Sequence, residues 1–241
     1  MDIFGSLAIV AFAGLIHASF QLSVSMLSLM SGHAIGAKRS HSKLMRLIGG
    51  FIFGAGVMTM LLLSFISLVL LHIFNGSSVP ALAWVIDCGL LFGIGIAVWL
   101  FYYRRQRGTT LWIPRSAASY LSERTKVTKR SAEAFGLGLT SVISELLFII
   151  APVVTSALVI ISLPPLWQLT GIGLYTAISL LSLLIVSVLV GGGHKLSLIQ
   201  KWREKNKTFL QFCAGSGLII LGFYLYVNQV LAVDIASLGG M

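Results

Sequence analysis

The sequence predicts an all-α, polytopic membrane protein whose six transmembrane helices form two inverted three-helix repeats. Of its 241 residues, 57% are hydrophobic and 10% are charged, and the mean hydropathy is +0.96. A helix needs about 20 apolar residues to cross the bilayer core, where its backbone groups must be satisfied internally. Six segments reach that length: 7–30, 47–74, 82–103, 134–161, 166–190 and 208–231.

The basic residues predict the orientation of the chain. All 17 lysines and arginines lie within 38–46, 104–130 and 195–207, after the first, third and fifth segments. The connections 75–81 and 162–165 and both tails contain none. Because basic residues near helix ends are retained in the cytoplasm, we expect basic cytoplasmic loops in the plasma (cell) membrane and both termini outside.

The same distribution decides which partners we expect. The net charge of +10 is explained by the retention of basic loops, so it does not indicate nucleic-acid binding. We expect the lipid bilayer and a small solute or ion as partners. Glycines in the second, third and sixth segments allow close helix packing and are compatible with a homodimer.

Aligning the sequence with itself at a shift of 124 residues indicates an internal repeat. The same shift aligns all three pairs of segments. The shift aligns Gly14 with Gly138, Gly49 with Gly173, Gly93 with Gly217 and Tyr102 with Tyr226. Since each unit has an odd number of helices, the second must enter the membrane from the opposite face. We therefore predict one transmembrane domain over 1–241, with repeat one at 7–103, a cytoplasmic linker at 104–131 and repeat two at 132–231.

Polar side chains form a stripe in the first segment of each repeat. Helical spacing places the members of each stripe on one face. They are His17, Gln21, Ser25 and Ser28 in the first segment, and Ser141, Glu145, Pro152 and Ser156, with Ser144 beside them, in the fourth. The shift of 124 residues superposes Gln21 on Glu145 and His17 on Ser141, so we expect the stripes to face each other and bind a substrate or ion.

Glu145 is the central candidate, since a carboxylate near mid-bilayer is costly and is expected to take up a proton or bind a cation. We predict His17 and Gln21 as its partners, and Ser141 and Ser144 as substrate hydrogen-bond donors. A proton-coupled step fits this arrangement. The alternative is a protonated Glu145 that hydrogen-bonds for packing alone.

Three further residues are candidates for the site: Pro152 at an expected break in a helix, and Asp87 and Gln211 near helix ends. Pro152 removes a backbone donor, so we expect the fourth helix to kink or open there. Asp87, near the outer end of the third segment, aligns with Gln211 in the sixth, and the pair are candidates for lining entrances at opposite faces. For Asp87 the alternative is an interfacial carboxylate that water reaches.

The sequence contains no phosphate loop, nucleophile motif or paired catalytic carboxylates, so no enzyme is expected. We predict no cofactor, and no metal site is expected because no cysteine or carboxylate accompanies the histidines at ligand spacing.

The layout resembles the lysine-exporter (LysE) superfamily, which includes amino-acid and metal-ion exporters and thiol-redox membrane proteins of the CcdA/DsbD type. The local likeness lies in residues 198–227, where a basic loop precedes Gly-Ser-Gly-Leu-Ile-Ile-Leu-Gly-Phe-Tyr-Leu. The resemblance implies an exporter or permease of a small solute, either an amino acid or a metal ion.

Two alternatives remain from the sequence. One is a non-transporting membrane subunit or assembly factor, in which the polar stripes contact partner helices. The other is transmembrane thiol redox chemistry, which is disfavoured because the redox relatives carry a cysteine beside proline in the first helix of each triplet. Here the only cysteines are Cys88 and Cys213, in the third and sixth segments.

Overall fold

A computed structural model describes residues 2–20, 24–28, 30, 41–75, 78–102, 119–120, 123–125, 127–193 and 196–231. These residues form helices and contain no strand. The helices are α1 (Ile3–Ser19), α2 (His41–Ile73), α3 (Ala81–Phe101), α4 (Ser131–Ile161), α5 (Pro165–Ser179), α6 (Leu181–Gly191) and α7 (Leu196–Leu225). A π-helical segment, Tyr226–Leu231, extends α7.

The all-helical membrane class is confirmed at a coarse level. By length and composition, α2, α3, α4 and α7 with its extension can each cross a membrane, and the bent pair α5 and α6 would make a fifth span. Large apolar side chains such as Phe53, Phe65 and Leu169 are exposed, as expected for faces that contact lipid.

The first segment departs from the prediction of one helix over 7–30. The helix α1 ends at Ser19, and Phe20 has an extended backbone with φ −72° and ψ 145°. Residues 24–28 and 30 are helical again. At 1.5 Å per residue, α1 is about 25 Å long, which is short of the hydrocarbon thickness of about 30 Å.

Pro152 does not interrupt its helix, so the predicted opening of the fourth helix there is wrong. The helix α4 continues through Pro152 from Ser131 to Ile161. The C-terminal half of α4 is buried on nearly all sides, and this packing holds the helix together where the proline removes a donor. A break lies instead at Leu180, where α5 and α6 meet at 45°.

Glycines bring α2 and α4 into backbone contact. Gly54 packs against the Phe135 carbonyl, and Gly138 packs against the Phe51 carbonyl. A side chain at either position would collide with a rigid backbone atom. This close approach makes α4 the centre of the bundle, where it also contacts α1, α3 and α5.

We expect Gly138→Ala to destabilise the fold by about 1–3 kcal/mol, because the added methyl group overpacks the contact with the Phe51 carbonyl. Gly136→Ala is the matched control, since nothing lies within 4 Å of a methyl group there. Reversible unfolding in mixed micelles of SDS and a mild detergent measures both. Equal unfolding free energies for the two variants would contradict the packing argument.

Candidate functional site

The cavity between the two polar stripes is small, and we call it the central cavity. It is lined by residues of α1, α2, α4, α5 and α6 and by the break after α1: His17, Phe20, Ala55, Thr59, Val142, Glu145, Ser179, Leu180, Ser182 and Leu183. The volume that the centre of a water molecule can occupy is about 10 Å³, which is roughly the space that one water molecule needs.

Glu145 and His17 both line this cavity, as the two facing stripes predict. Glu145 lies near the middle of α4 and is 2% exposed, while His17 lies in the last turn of α1 and is 6% exposed. The sequence has no lysine or arginine within 1–37, 47–103, 131–194 or 208–241. A buried carboxylate in this position is a candidate for taking up a proton or binding a cation.

The hydrogen bond that the structure gives His17 joins it to Tyr175, on α5. The distance between His17 Nδ1 and the Tyr175 hydroxyl is 3.0 Å, and both side chains are buried. The ring centroids are 5.7 Å apart. The imidazole is thereby held at the end of α1, directly before the break at Phe20.

Tyr175 was missed by the sequence analysis, although a signal for it existed. Gly171, Tyr175 and Ser179 are the buried residues of α5, and their spacing of four places them on one face. Ser179 lines the central cavity. A search of the fifth segment for polar side chains at helical spacing would have identified this third polar face.

The serines of α4 donate within their own helix. The Ser141 hydroxyl donates to the Gly138 carbonyl at 2.8 Å, and that of Ser144 donates to the Thr140 carbonyl at 2.9 Å. Neither serine lines the central cavity. The structure therefore does not direct these two hydroxyls at the central cavity, and their role as substrate donors stays a prediction.

Two other predicted residues, Pro152 and Gln211, lie elsewhere. Pro152 is buried in α4, two turns beyond Glu145, and its carbonyl accepts from the Ser156 hydroxyl at 2.8 Å. Gln211 donates to the carbonyls of Val98 and Trp99, at 2.6 and 2.7 Å, and so caps the end of α3. Gln21 lies outside the described residues.

Asp87 is not an interfacial carboxylate, since it is 0% exposed. Its Oδ2 accepts a hydrogen bond of 2.7 Å from the Thr155 hydroxyl on α4. The structure therefore places it between α3 and α4 rather than at a water-filled entrance. It is separate from the central cavity, because Thr155 lies ten residues beyond Glu145 on α4, about 15 Å along the helix axis.

No family model matches the chain, and no curated protein or solved structure matches it either. The resemblance to the lysine-exporter superfamily therefore stays a prediction from the sequence. Within the described residues, no group of three or more histidine, cysteine, aspartate or glutamate side chains is arranged to hold a metal ion.

We expect Tyr175→Phe to lower the free energy of unfolding by about 1–3 kcal/mol, because it leaves the buried His17 Nδ1 without its partner. Tyr224→Phe is the control, since Tyr224 is exposed. In a His17→Leu background, Tyr175→Phe should cost much less, since the phenol hydroxyl has already lost its partner. An unchanged cost in that background would contradict a coupled pair.

Proposed function

We propose that this protein is a membrane transporter, an exporter or permease of a small solute or ion, with its site at Glu145. The observation that carries the proposal is the central cavity, where Glu145, His17 and the helix break at Phe20 meet the bend at Leu180. Broken helices beside a buried ionisable group near mid-bilayer are typical of secondary transporters.

The proposal includes six spans in two inverted repeats, with α1 and the helical residues 24–28 and 30 as the first span. Equivalent contacts support the repeat. Gly138 meets the Phe51 carbonyl between α4 and α2, while Gly14 faces the Tyr175 carbonyl between α1 and α5. Adding 124 to Gly14 gives 138, and adding 124 to Phe51 gives 175, so these are the same contact in the two halves.

Contacts between residues related by that same shift support a twofold axis through the bundle. Gly56 faces Leu180, and Gly95 faces Ile219, and both pairs are 124 positions apart. A residue can contact its own equivalent only near the axis that relates the halves. Leu180 also lines the central cavity, which therefore lies at the junction of the two repeats.

The proposed orientation places the basic connections in the cytoplasm, for the reason given by the charge distribution. The ends of α4 agree with it: the N-terminal end is preceded by Lys129 and Arg130, and the C-terminal end runs into a connection without basic residues. The plasma membrane is the membrane we propose.

Small size and one carboxylate make the central cavity suited to a proton or a small cation in this conformation. An amino acid requires the cavity to widen, and the interruptions at Phe20 and Leu180 provide two places where helix segments can move relative to each other. Uptake of a proton by Glu145 when the solute leaves would couple transport to a pH gradient.

We expect Glu145→Gln to reduce flux at least tenfold in proteoliposomes, because the neutral amide cannot exchange a proton or hold a cation. The assay screens amino acids and divalent cations with and without a pH gradient. Glu133→Gln is the matched control: Glu133 lies at the exposed start of the same helix, where its carboxylate accepts from the backbone amides of Lys129 and Arg130. Its flux should equal that of the wild type.

Absence of flux for every solute, with wild type and both variants equally folded, would instead favour a non-transporting membrane subunit. In that case Glu145→Gln should weaken the association of this protein with a partner protein. Flux that Glu145→Gln leaves intact would retain the transporter but move its site away from the central cavity.

A further inference from the structure

A second cavity lies toward the other end of α4, between the end of α2 and the start of α3. We call it the outer cavity. It is an open groove with a volume of about 260 Å³, and its walls are almost entirely apolar. Leu70, Leu82, Ile86, Val154 and Leu158 form much of the lining, and Asp87 is the only ionisable residue among them.

The Asp87 carboxylate is incompletely satisfied. Its Oδ2 accepts from the Thr155 hydroxyl, but its Oδ1 has no hydrogen-bond partner among the described residues. The other buried side-chain oxygen without a partner in this part of the chain is Ser67 Oγ, on the face of α2 that carries Leu70. Unsatisfied buried acceptors are uncommon, and each one calls for an explanation.

Among the described residues, no cation is paired with Asp87. Neither 47–103 nor 131–194 contains a lysine or arginine. His72, near the end of α2, is exposed and does not line the outer cavity. The neighbouring Cys88 thiol is directed to the Gly222 carbonyl, at 3.6 Å. A proton on Oδ2, donated to the Thr155 hydroxyl oxygen, removes the charge but still leaves Oδ1 without a donor, so protonation alone does not complete the site.

We propose that the outer cavity binds a protonated organic amine, with its ammonium group at Asp87 and its apolar body against the leucines and isoleucine. The carboxylate lies beneath the lining, with 0% of Asp87 exposed, so the lining side chains must part for the ammonium group to reach Oδ1. A carboxylate under apolar walls matches a molecule with one cationic end and one hydrocarbon end. A bare inorganic cation fits less well, because it needs several oxygen ligands to replace its water, and these walls supply almost none. The site does not depend on the central cavity.

The test uses the full-length protein in phosphatidylcholine nanodiscs and radiolabelled n-hexylammonium as the probe, with binding to empty nanodiscs subtracted. Wild type and the control Glu133→Gln should bind saturably and equally. Asp87→Asn should weaken binding at least tenfold, because it removes the charge that holds the ammonium group. Affinity should fall about fourfold for each methylene removed from the probe.

A second variant covers the case in which Asp87→Asn fails to fold. Val154→Phe fills the outer cavity while keeping the carboxylate, and it should also abolish saturable binding. Competition by 1-hexanol should be absent, since it lacks the charge. The proposal is wrong if wild type shows no saturable binding, if Asp87→Asn and Val154→Phe bind as wild type does, or if Na⁺ or methylammonium competes as well as n-hexylammonium.

Discussion

The backbone contact between α2 and α4 is the constraint on which the rest of the structure depends. Lipid provides no hydrophobic drive for helix association, so the helices must gain their stability from close packing. Gly54 and Gly138 allow that packing by leaving room for the opposite carbonyls. With α4 fixed against α2, its polar face is directed inward, and Glu145 meets the end of α1 instead of lipid.

The two cavities each contain a buried carboxylate, but they differ in the groups that surround it. Both Glu145 and Asp87 lie in helices that lack basic residues, so neither can form an ion pair with a lysine or arginine of its own span. The central cavity surrounds Glu145 with an imidazole and hydroxyl groups, among them Thr59 and Ser179. The outer cavity gives Asp87 one hydroxyl and hydrocarbon walls. The first environment suits a proton or small cation, and the second suits an amine with an apolar body.

The sequence predicted the membrane class and helices close to those observed for the second, third and fourth segments, since long apolar runs have few alternatives in lipid. The sixth segment was predicted to begin at 208, but α7 begins at Leu196, so most of the basic stretch 195–207 is helical and not a loop. It also predicted that His17 and Glu145 lie near the same space, because helical spacing fixes which side chains share a face. The breaks could not be predicted in this way. The interruptions at Phe20 and Leu180 contain neither proline nor glycine. Pro152 lies within α4, yet this helix is continuous because tertiary packing holds it together. The pairing of His17 with Tyr175 likewise depends on how α1 and α5 pack, which no local pattern encodes.

The central claim is that two halves of opposite orientation surround one cavity. The most direct test is to determine from which side of the membrane equivalent connections react with a thiol reagent. Ser78 and Gly192 lie exposed in the connections that follow the second helix of each proposed repeat. Ser78→Cys and Gly192→Cys are made singly with Cys88→Ser and Cys213→Ser, and treated on intact cells with a membrane-impermeant maleimide. We predict that Ser78→Cys reacts at once and that Gly192→Cys reacts only after permeabilisation. Reaction of both from the same side would contradict the inverted repeat and with it the proposed site.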